Sequence, residues 1–452
     1  MLNMLDTIAA IATPPGESAL AVVRLSGPAS AEIAGRLLAA GCPKERYATY
    51  TTLGDGNGRI IDTVVAIYYR APASYTGEDM LEIICHGGRI VPEQVLKAAC
   101  ANGARPARPG EFTLRAFLNG KLDLTRAEAV DTVIRARTER SGRIAVDNLS
   151  GKLQEKLKRI ETKIVELLTV IEAQIDFAED EIVRLSKSSI EDSLDSIASD
   201  ISRLTNNYDY SRLAAGEMQI AIIGDTNVGK STLFNALLNT DRAITSPDPG
   251  TTRDYIADYL NLAGFPVKLI DTAGIRDDAQ AVEEEGIRRT HELIESSDIL
   301  LMAVESNREL SPTELRTLEM IRNRKHILVV TKIDLIPEEK TEKCLLGLND
   351  NIVRVSAKYG RGVPGLIARL GDLIGVDYHD ETGILLSQRQ FLCAERAKKH
   401  IEKAMTCLKS GEPEEVLALE LREALDHLGE LLGKVTSEDI LNSIFSRFCI
   451  GK

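Results

Sequence analysis

The chain has no tryptophan, and its aromatic content is only 4%. With a net charge of −13, that argues against a broad nucleic-acid surface, which needs a basic stripe or stacking rings. A local basic surface is still allowed. Positive charge gathers between Arg105 and Arg143, most of it matching a solvated helix face. The seven cysteines stand singly, with no C-x-x-C and an odd count, so no disulfide framework is implied. No run approaches the roughly 18 apolar residues that span a bilayer. The N-terminus has an acidic residue and no basic n-region, a poor signal peptide. The terminal Cys449-Ile450-Gly451-Lys452 lacks the paired aliphatics and final residue of a prenylation box, and no polybasic run precedes it. The chain reads as cytoplasmic, with no membrane partner.

What is present is globular: 44% apolar and 27% charged residues over a 452-residue length that calls for several domains. Residues 1–120 mix β-like runs ("ALAVVRL", "TVVAIYYR", "MLEIICHGG") with helical stretches, an α+β domain. From 121 to 212 the pattern turns helical. Leu149, Leu153, Leu157, Ile160, Ile164, Leu167 and Ile171 form the stripe of one long amphipathic helix. Residues 377–452 contain a second helical part. Between them, over 217–376, strand-like runs alternate with helices, the signature of a parallel sheet with crossovers. The simplest organisation is an α/β domain inserted into a helical one.

Within the insert, "GDTNVGKS" (224–231) fits G-x-x-x-x-G-K-[ST], with an apolar strand before it and a helix after it. Gly224 and Gly229 let backbone N–H groups close round phosphates. Lys230 neutralises the β- and γ-phosphates, and Ser231 is suited to ligate Mg²⁺. Four elements follow in order. "PGTTRD" offers Thr252 as a second Mg²⁺ ligand. "DTAG" places Asp271 at a strand end and Gly274 near the γ-phosphate. "TKID" supplies Asp334, which accepts from guanine N1–H and N2–H₂ together and so selects GTP over ATP. "SAK" (356–358) closes over the base. Five motifs in this order resemble the Ras-like GTPase superfamily, which implies a P-loop α/β fold.

Two departures stand out. Thr331 occupies a position where the superfamily usually has Asn, so a lower guanine affinity is expected. Ile275 stands where Ras-type enzymes carry the water-orienting Gln. Catalytic groups must come from elsewhere. Asn227 is one candidate, able to hold a monovalent cation against the phosphates. A carboxylate of the acidic run 281–286 is the other, though such a run is most simply a solvated helix start.

The whole chain resembles the TrmE (MnmE) family of tRNA-modifying GTPases. The resemblance rests on "ATPPGESALAVVRLSGP" (12–28), "YTGEDMLEIICHGG" (75–88), "RPGEFTLRAFLNGKLDLTRAEAV" (108–130), the GTPase motifs and "DILNSIFSRFCIGK" (439–452). It implies a homodimer that works with an FAD-dependent MnmG (GidA) family protein on tRNA. Together they form the carboxymethylaminomethyl or aminomethyl group at C5 of the wobble uridine. It also implies a reduced folate, 5,10-methylene- or 5-formyl-tetrahydrofolate, held by Arg24, Glu82, Lys121 and Lys452. GTP hydrolysis is expected to need K⁺ and pairing of two G domains. The K⁺ shell falls to Asn227, Ser246, Asp248 and Thr251.

Glu283 becomes the water-orienting carboxylate, and Arg276 the arginine of the moving loop. The nucleotide-binding set comprises Asn227, Val228, Gly229, Lys230, Ser231 and Thr232 from the phosphate loop. Ser246, Pro247, Asp248, Pro249, Gly250, Thr251 and Thr252 follow, then Asp271, Thr272, Ala273 and Gly274. Thr331, Lys332, Asp334, Ser356, Ala357 and Lys358 complete it. Cys449 is either a thiol acting on the pyrimidine or a packed residue of the folate pocket. Two rival readings are a ribosome-assembly switch of the Era kind and a dimeric scaffold without turnover. Against the first, no recognisable RNA-binding module flanks the G motifs. Against the second, Lys230, Ser231, Thr252 and Asp271 are intact.

Overall fold

The computed structural model describes residues 6–56, 58–176, 185–239, 243–244, 256–271, 291–336, 351–375, 384 and 386–452. The chain forms two compact units. The first comprises residues 1–131, 149–198 and 393–452, and the second 132–148 and 199–392.

The first unit opens with β1 (Thr7–Ile11), β2 (Leu20–Ser26), α1 (Ser30–Leu37), β3 (Thr49–Gly54), β4 (Ile60–Tyr69) and β5 (Met80–His86). Then come α2 (Ile90–Ala101), β6 (Ala104–Pro106) and α3 (Glu111–Leu118). The strands make one mixed sheet in the order β3-β4-β5-β2-β1-β6, antiparallel except for the β1–β6 pair. Side-chain alternation splits β1 between two cores. Ala9 joins the core that contains Ile33, Val95 and Ala99 of α1 and α2, while Ile8 and Ala10 meet Phe112 of α3 on the other face. This is the α+β arrangement expected from the short β-like runs.

α4 (Leu124–Arg135) and α5 (Glu139–Leu149) precede the long α6 (Lys152–Asp176). Leu153, Leu157, Ile160, Ile164, Leu167 and Ile171 are buried along one stripe of α6, as the spacing predicts. The stripe is not one helix from Leu149, however. Gly151, at φ +102°, takes a left-handed conformation that ends α5 and lets α6 start afresh. α7 (Lys187–Thr205) and α8 (Tyr208–Ala215) lead into the α/β segment.

That segment contains β7 (Gln219–Ile223), α9 (Lys230–Leu238), β8 (Ala243–Ile244), β9 (Ile256–Leu262), β10 (Phe265–Asp271) and β11 (Ile299–Glu305). α10 (Pro312–Ile321), β12 (His326–Thr331), β13 (Ile352–Arg354) and α11 (Val363–Ile374) complete it. The sheet runs β13-β12-β11-β7-β10-β9-β8. The first five strands are parallel, and β9 and β8 are antiparallel additions at one edge. The reason is local. Ala263 and Gly264 both take positive φ, +49° and +91°, the conformation of a tight two-residue hairpin turn between β9 and β10. The core of this unit also takes in Ile144 and Tyr210, which the sequence pattern groups with the helical segment, and Leu213 and Ala214, which fall between that segment and the insert.

The last elements, in the first unit from Cys393 on, are α12 (Gln388–Ser410), α13 (Glu414–Leu432) and α14 (Glu438–Phe445). They return the chain to its beginning. Phe445 and Phe448 pack with Leu114 and Leu124. The Phe112 amide donates to the Lys452 carbonyl at 3.2 Å, and the Gly110 amide to Cys449 at 3.5 Å. Gly451 sits at φ +96°, and a Cβ there would come 2.7 Å from the Ile11 carbonyl oxygen and 2.8 Å from Ala12 Cα. Both neighbours are backbone and cannot yield cheaply. Glycine is therefore required for the tail to lie against the end of β1.

Gly451→Ala is expected to cost about 1–3 kcal/mol of tail docking through strain and clash. Carboxypeptidase release of Lys452 from the full-length protein should accelerate roughly tenfold or more. Gly411→Ala, at φ +73° with open space around the new methyl, should leave that rate unchanged. Equal release from wild type and Gly451→Ala would contradict the docked tail.

Candidate functional site

In the second unit the phosphate-loop motif becomes a turn between β7 and α9. Gly224 (φ +143°) passes so near β11 that a Cβ would lie 2.3 Å from the Ala303 carbonyl oxygen. Asn227 takes a left-handed φ of +63°, and Gly229, at φ +98°, caps α9. The first amides of α9 therefore open onto the loop with the positive end of the helix dipole behind them. Asn227, Ser231 and Thr232 are exposed at this mouth, whereas Val228 is buried beneath it. Lys230 is 9% exposed and donates from Nζ to the carbonyls of Gly224 and Asp225, at 2.9 and 2.8 Å. Burial pushes its ammonium below the ordinary lysine value, against the opposing pull of Asp271 and Asp225. A cation so placed, partly desolvated and, among the described residues, hydrogen-bonded to the neutral carbonyls of Gly224 and Asp225, is suited to receive a phosphate anion. Asp271, 1% exposed, ends β10 opposite Ile222 of β7.

The loop is braced from outside. Ser311 donates to Asp225 at 2.8 Å while capping α10, in a reciprocal capping box with Glu314. Arg308 clamps Glu314 through two 2.7 Å bonds. Nothing in the sequence marks these residues as part of the site, although Ser311-x-x-Glu314 is a legible helix-start signal.

Thr331 is the informative departure. Its hydroxyl is buried and donates its one proton to the Val228 carbonyl at 2.6 Å, with the Val304 carbonyl oxygen 3.0 Å away. The hydroxyl thus ties the end of β12 directly to the phosphate loop, beside β11. One residue on, Lys332 takes φ +56° and reaches Glu305 at 2.9 Å. Asp334 accepts from Ser356 Oγ at 2.5 Å, and this bond, with Lys358 and Arg361 nearby, holds its carboxyl below the usual aspartate value. The TKID and SAK motifs are therefore brought together, with the Asp334 carboxylate exposed.

Ser246, Pro247, Asp248, Pro249, Gly250, Thr251 and Thr252 lie outside the described residues, as do Thr272, Ala273, Gly274, Arg276 and Glu283.

In the first unit a second cluster forms where the tail meets the sheet. Arg24 on β2 pairs directly across from Glu82 on β5, so both side chains stand on one face. Arg24 donates to Glu82 Oε1 from Nε at 3.0 Å and from Nη2 at 2.8 Å, and to the Gly451 carbonyl at 3.3 Å. Tyr69 donates to the other carboxylate oxygen at 3.2 Å. Tyr75 and Phe112 offer ring faces 5.5 and 5.8 Å from the guanidinium. Burial, and then the Arg24 cation, lower the Lys452 ammonium from its ordinary value, with Glu82 and Cys449 opposing. Arg24, Glu82 and Lys452 are thus brought together. Lys121 instead bonds the Pro72 carbonyl at 3.0 Å. Cys449 is exposed. Tyr69, Tyr75 and Phe112 escaped the sequence reading, although Tyr75 and Phe112 lie inside the segments that carried the resemblance.

Residues 7–121 match the family model described as GTP-binding protein TrmE N-terminus, and residues 124–449 that of the MnmE helical domain. The tRNA modification GTPase MnmE of Aquifex aeolicus is 40% identical over 99% of this chain and 100% of its own length. Its counterpart from Thermotoga maritima is 38% identical over 99% and 100%. Among solved structures, the G domain of the T. maritima FeoB iron transporter is 27% identical, covering 34% of this chain and 98% of its own, with a TM-score of 0.27.

Thr331→Val removes the hydroxyl but keeps the shape, leaving the Val228 carbonyl without this donor. A loss of about 1–2 kcal/mol is expected, read as guanine-nucleotide affinity weakened roughly tenfold. Thr331→Ser should restore it. Unchanged affinity in Thr331→Val, by equilibrium titration with a fluorescent GDP analogue, would remove the tether from the account.

Proposed function

Because this chain belongs to the MnmE family of tRNA modification GTPases, we propose that its GTP hydrolysis drives formation of the (carboxymethyl)aminomethyl group at C5 of the wobble uridine. The reaction is shared with an FAD-dependent partner of the MnmG (GidA) family, in the cytoplasm, where tRNA is found. The observation that carries this reading is the presence, in one chain, of a phosphate loop and a separate cluster of Arg24, Glu82 and Lys452.

At the nucleotide, Lys230 neutralises phosphate charge from its buried seat, and the amides at the start of α9 hold the phosphate oxygens. Ser231, exposed in the first turn of α9, is suited by its hydroxyl to share a Mg²⁺ ion with Thr252, and Asp271 to hold a water on that ion. Bound Mg²⁺ supplies charge neutralisation at the β- and γ-phosphates. Asp334 selects guanine. Ile275 cannot orient water, so that task falls to Glu283, with Arg276 in the same loop. Asn227 presents an amide oxygen from its left-handed turn, the donor a K⁺ ion needs beside the phosphates. Ser246, Asp248 and Thr251 complete that shell when two G domains of a homodimer meet.

The second cluster fits a reduced folate by donor set. Glu82 accepts from the amide-like donors of a pterin, Arg24 and Lys452 pair with glutamyl carboxylates, and the partly exposed ring of Tyr75 offers an apolar face. The bound folate supplies the one-carbon unit. Lys121, which bonds the Pro72 carbonyl, contributes charge along the tail of such a ligand.

GTP turnover by the full-length protein, compared in KCl and NaCl at equal ionic strength, tests the reading. The rate should be roughly tenfold or more higher in K⁺, since a cation at Asn227 acts where an arginine finger acts elsewhere. Asn227→Ala should lose most of that difference. Equal slow rates in both salts would contradict the cation assignment.

A further inference from the structure

We propose that His400, Glu423 and His427 form a site for a borderline divalent transition-metal ion, with zinc as the reference ion. His400 lies on α12, and Glu423 and His427 lie on α13, four residues apart and therefore on one helical face. The two helices are joined by residues 411–413 alone, which makes them antiparallel neighbours and brings position 400 opposite that face. One ligand atom from each residue lies within 4.8 Å of the others. The two imidazole rings sit 5.4 Å apart between centroids, tilted by 39°.

The surroundings are those of a metal-binding histidine pair. His400 Nδ1 is 2.6 Å from Glu420 Oε2, which fixes the proton on Nδ1 and leaves the Nε2 lone pair free. His427 Nδ1 lies 3.7 Å from Glu430 Oε2, an ion-pair separation too long for a hydrogen bond. Lys403, 3.9 Å from Glu420, competes for that carboxylate but not for the ligand atoms. Both histidines are half-buried, whereas Glu423 is exposed. The site therefore offers two nitrogens and one oxygen, with a further position open to water. That is a donor set for zinc, nickel or cobalt, and not for the hard Mg²⁺ or K⁺ assigned to the phosphate loop. A metal held there would pin α12 to α13, the helix that leads through α14 to the Cys449–Lys452 tail.

The test is metal uptake by the EDTA-stripped full-length protein. Dialysis against Zn²⁺ should leave one zinc ion per chain, and Co²⁺ should develop the visible absorption of a four-coordinate site. His427→Gln and His400→Gln should each abolish retention. Glu420→Gln, which removes only the orienting carboxylate, should weaken it by about 10–100-fold. His86→Gln, a surface histidine paired with Asp62, should retain full uptake. Matching thermal midpoints for the metal-free variants and wild type exclude misfolding as the cause of any loss. Absence of retained zinc in wild type, or retention that survives both histidine substitutions, would overturn the proposal.

Discussion

Everything in the first unit turns on the contact between Gly451 and the backbone at the end of β1. The strand β1 and the docked tail belong to one unit, and residues 132–148 and 199–392 of the other unit fall between its segments in sequence. The same contact builds chemistry. Arg24 and Glu82 are cross-strand neighbours fixed by the sheet register. The tail then adds a carbonyl to Arg24 and delivers the Lys452 ammonium beside it. Remove the positive φ at Gly451, and a cation more than 400 positions away in sequence no longer meets its partners.

The GTPase unit solves a related problem with a single hydroxyl. A phosphate loop is useful only if its amides stay aimed at the anion, and its floor is the buried Val228 carbonyl. Thr331 holds that carbonyl from the end of β12. The sequence reading took Thr in place of Asn as a loss for base recognition. In the structure the Thr331 hydroxyl faces the loop, while Asp334 accepts from Ser356. Residues 331–334 are thus tied at one end to the phosphate loop, through Thr331 and Val228, and at the other to Ser356, through Asp334.

Local patterns were legible wherever one period or one spacing carried the information. The stripe along α6, the phosphate loop and the GTPase motif order all follow from residue spacing alone. The family resemblance added Arg24, Glu82 and Lys452, but not why they meet, which depends on a strand register that no local window encodes. For the same reason Tyr69 stayed hidden, since it reaches Glu82 from a third strand. The stop at Gly151 was missed because the apolar stripe runs on past it, and backbone conformation overrode side-chain periodicity. The antiparallel edge of β8 and β9 was hidden in the Ala263-Gly264 turn. His400 and the Glu423–His427 pair escaped because their spacing matches no linear metal motif, and only the α12–α13 hairpin unites them.

Occupancy of the tail-built cluster decides the central claim most directly. The measurement is equilibrium binding of 5-formyl-tetrahydrofolate to the full-length protein and to Lys452→Ala, with GTP turnover followed in the same samples. The account predicts saturable binding by wild type, a loss of at least about tenfold in affinity for Lys452→Ala from the missing charge-assisted contact, and basal turnover unchanged in both. Equal binding by the two proteins, or none by wild type, would contradict the assignment of Arg24, Glu82 and Lys452 to a folate.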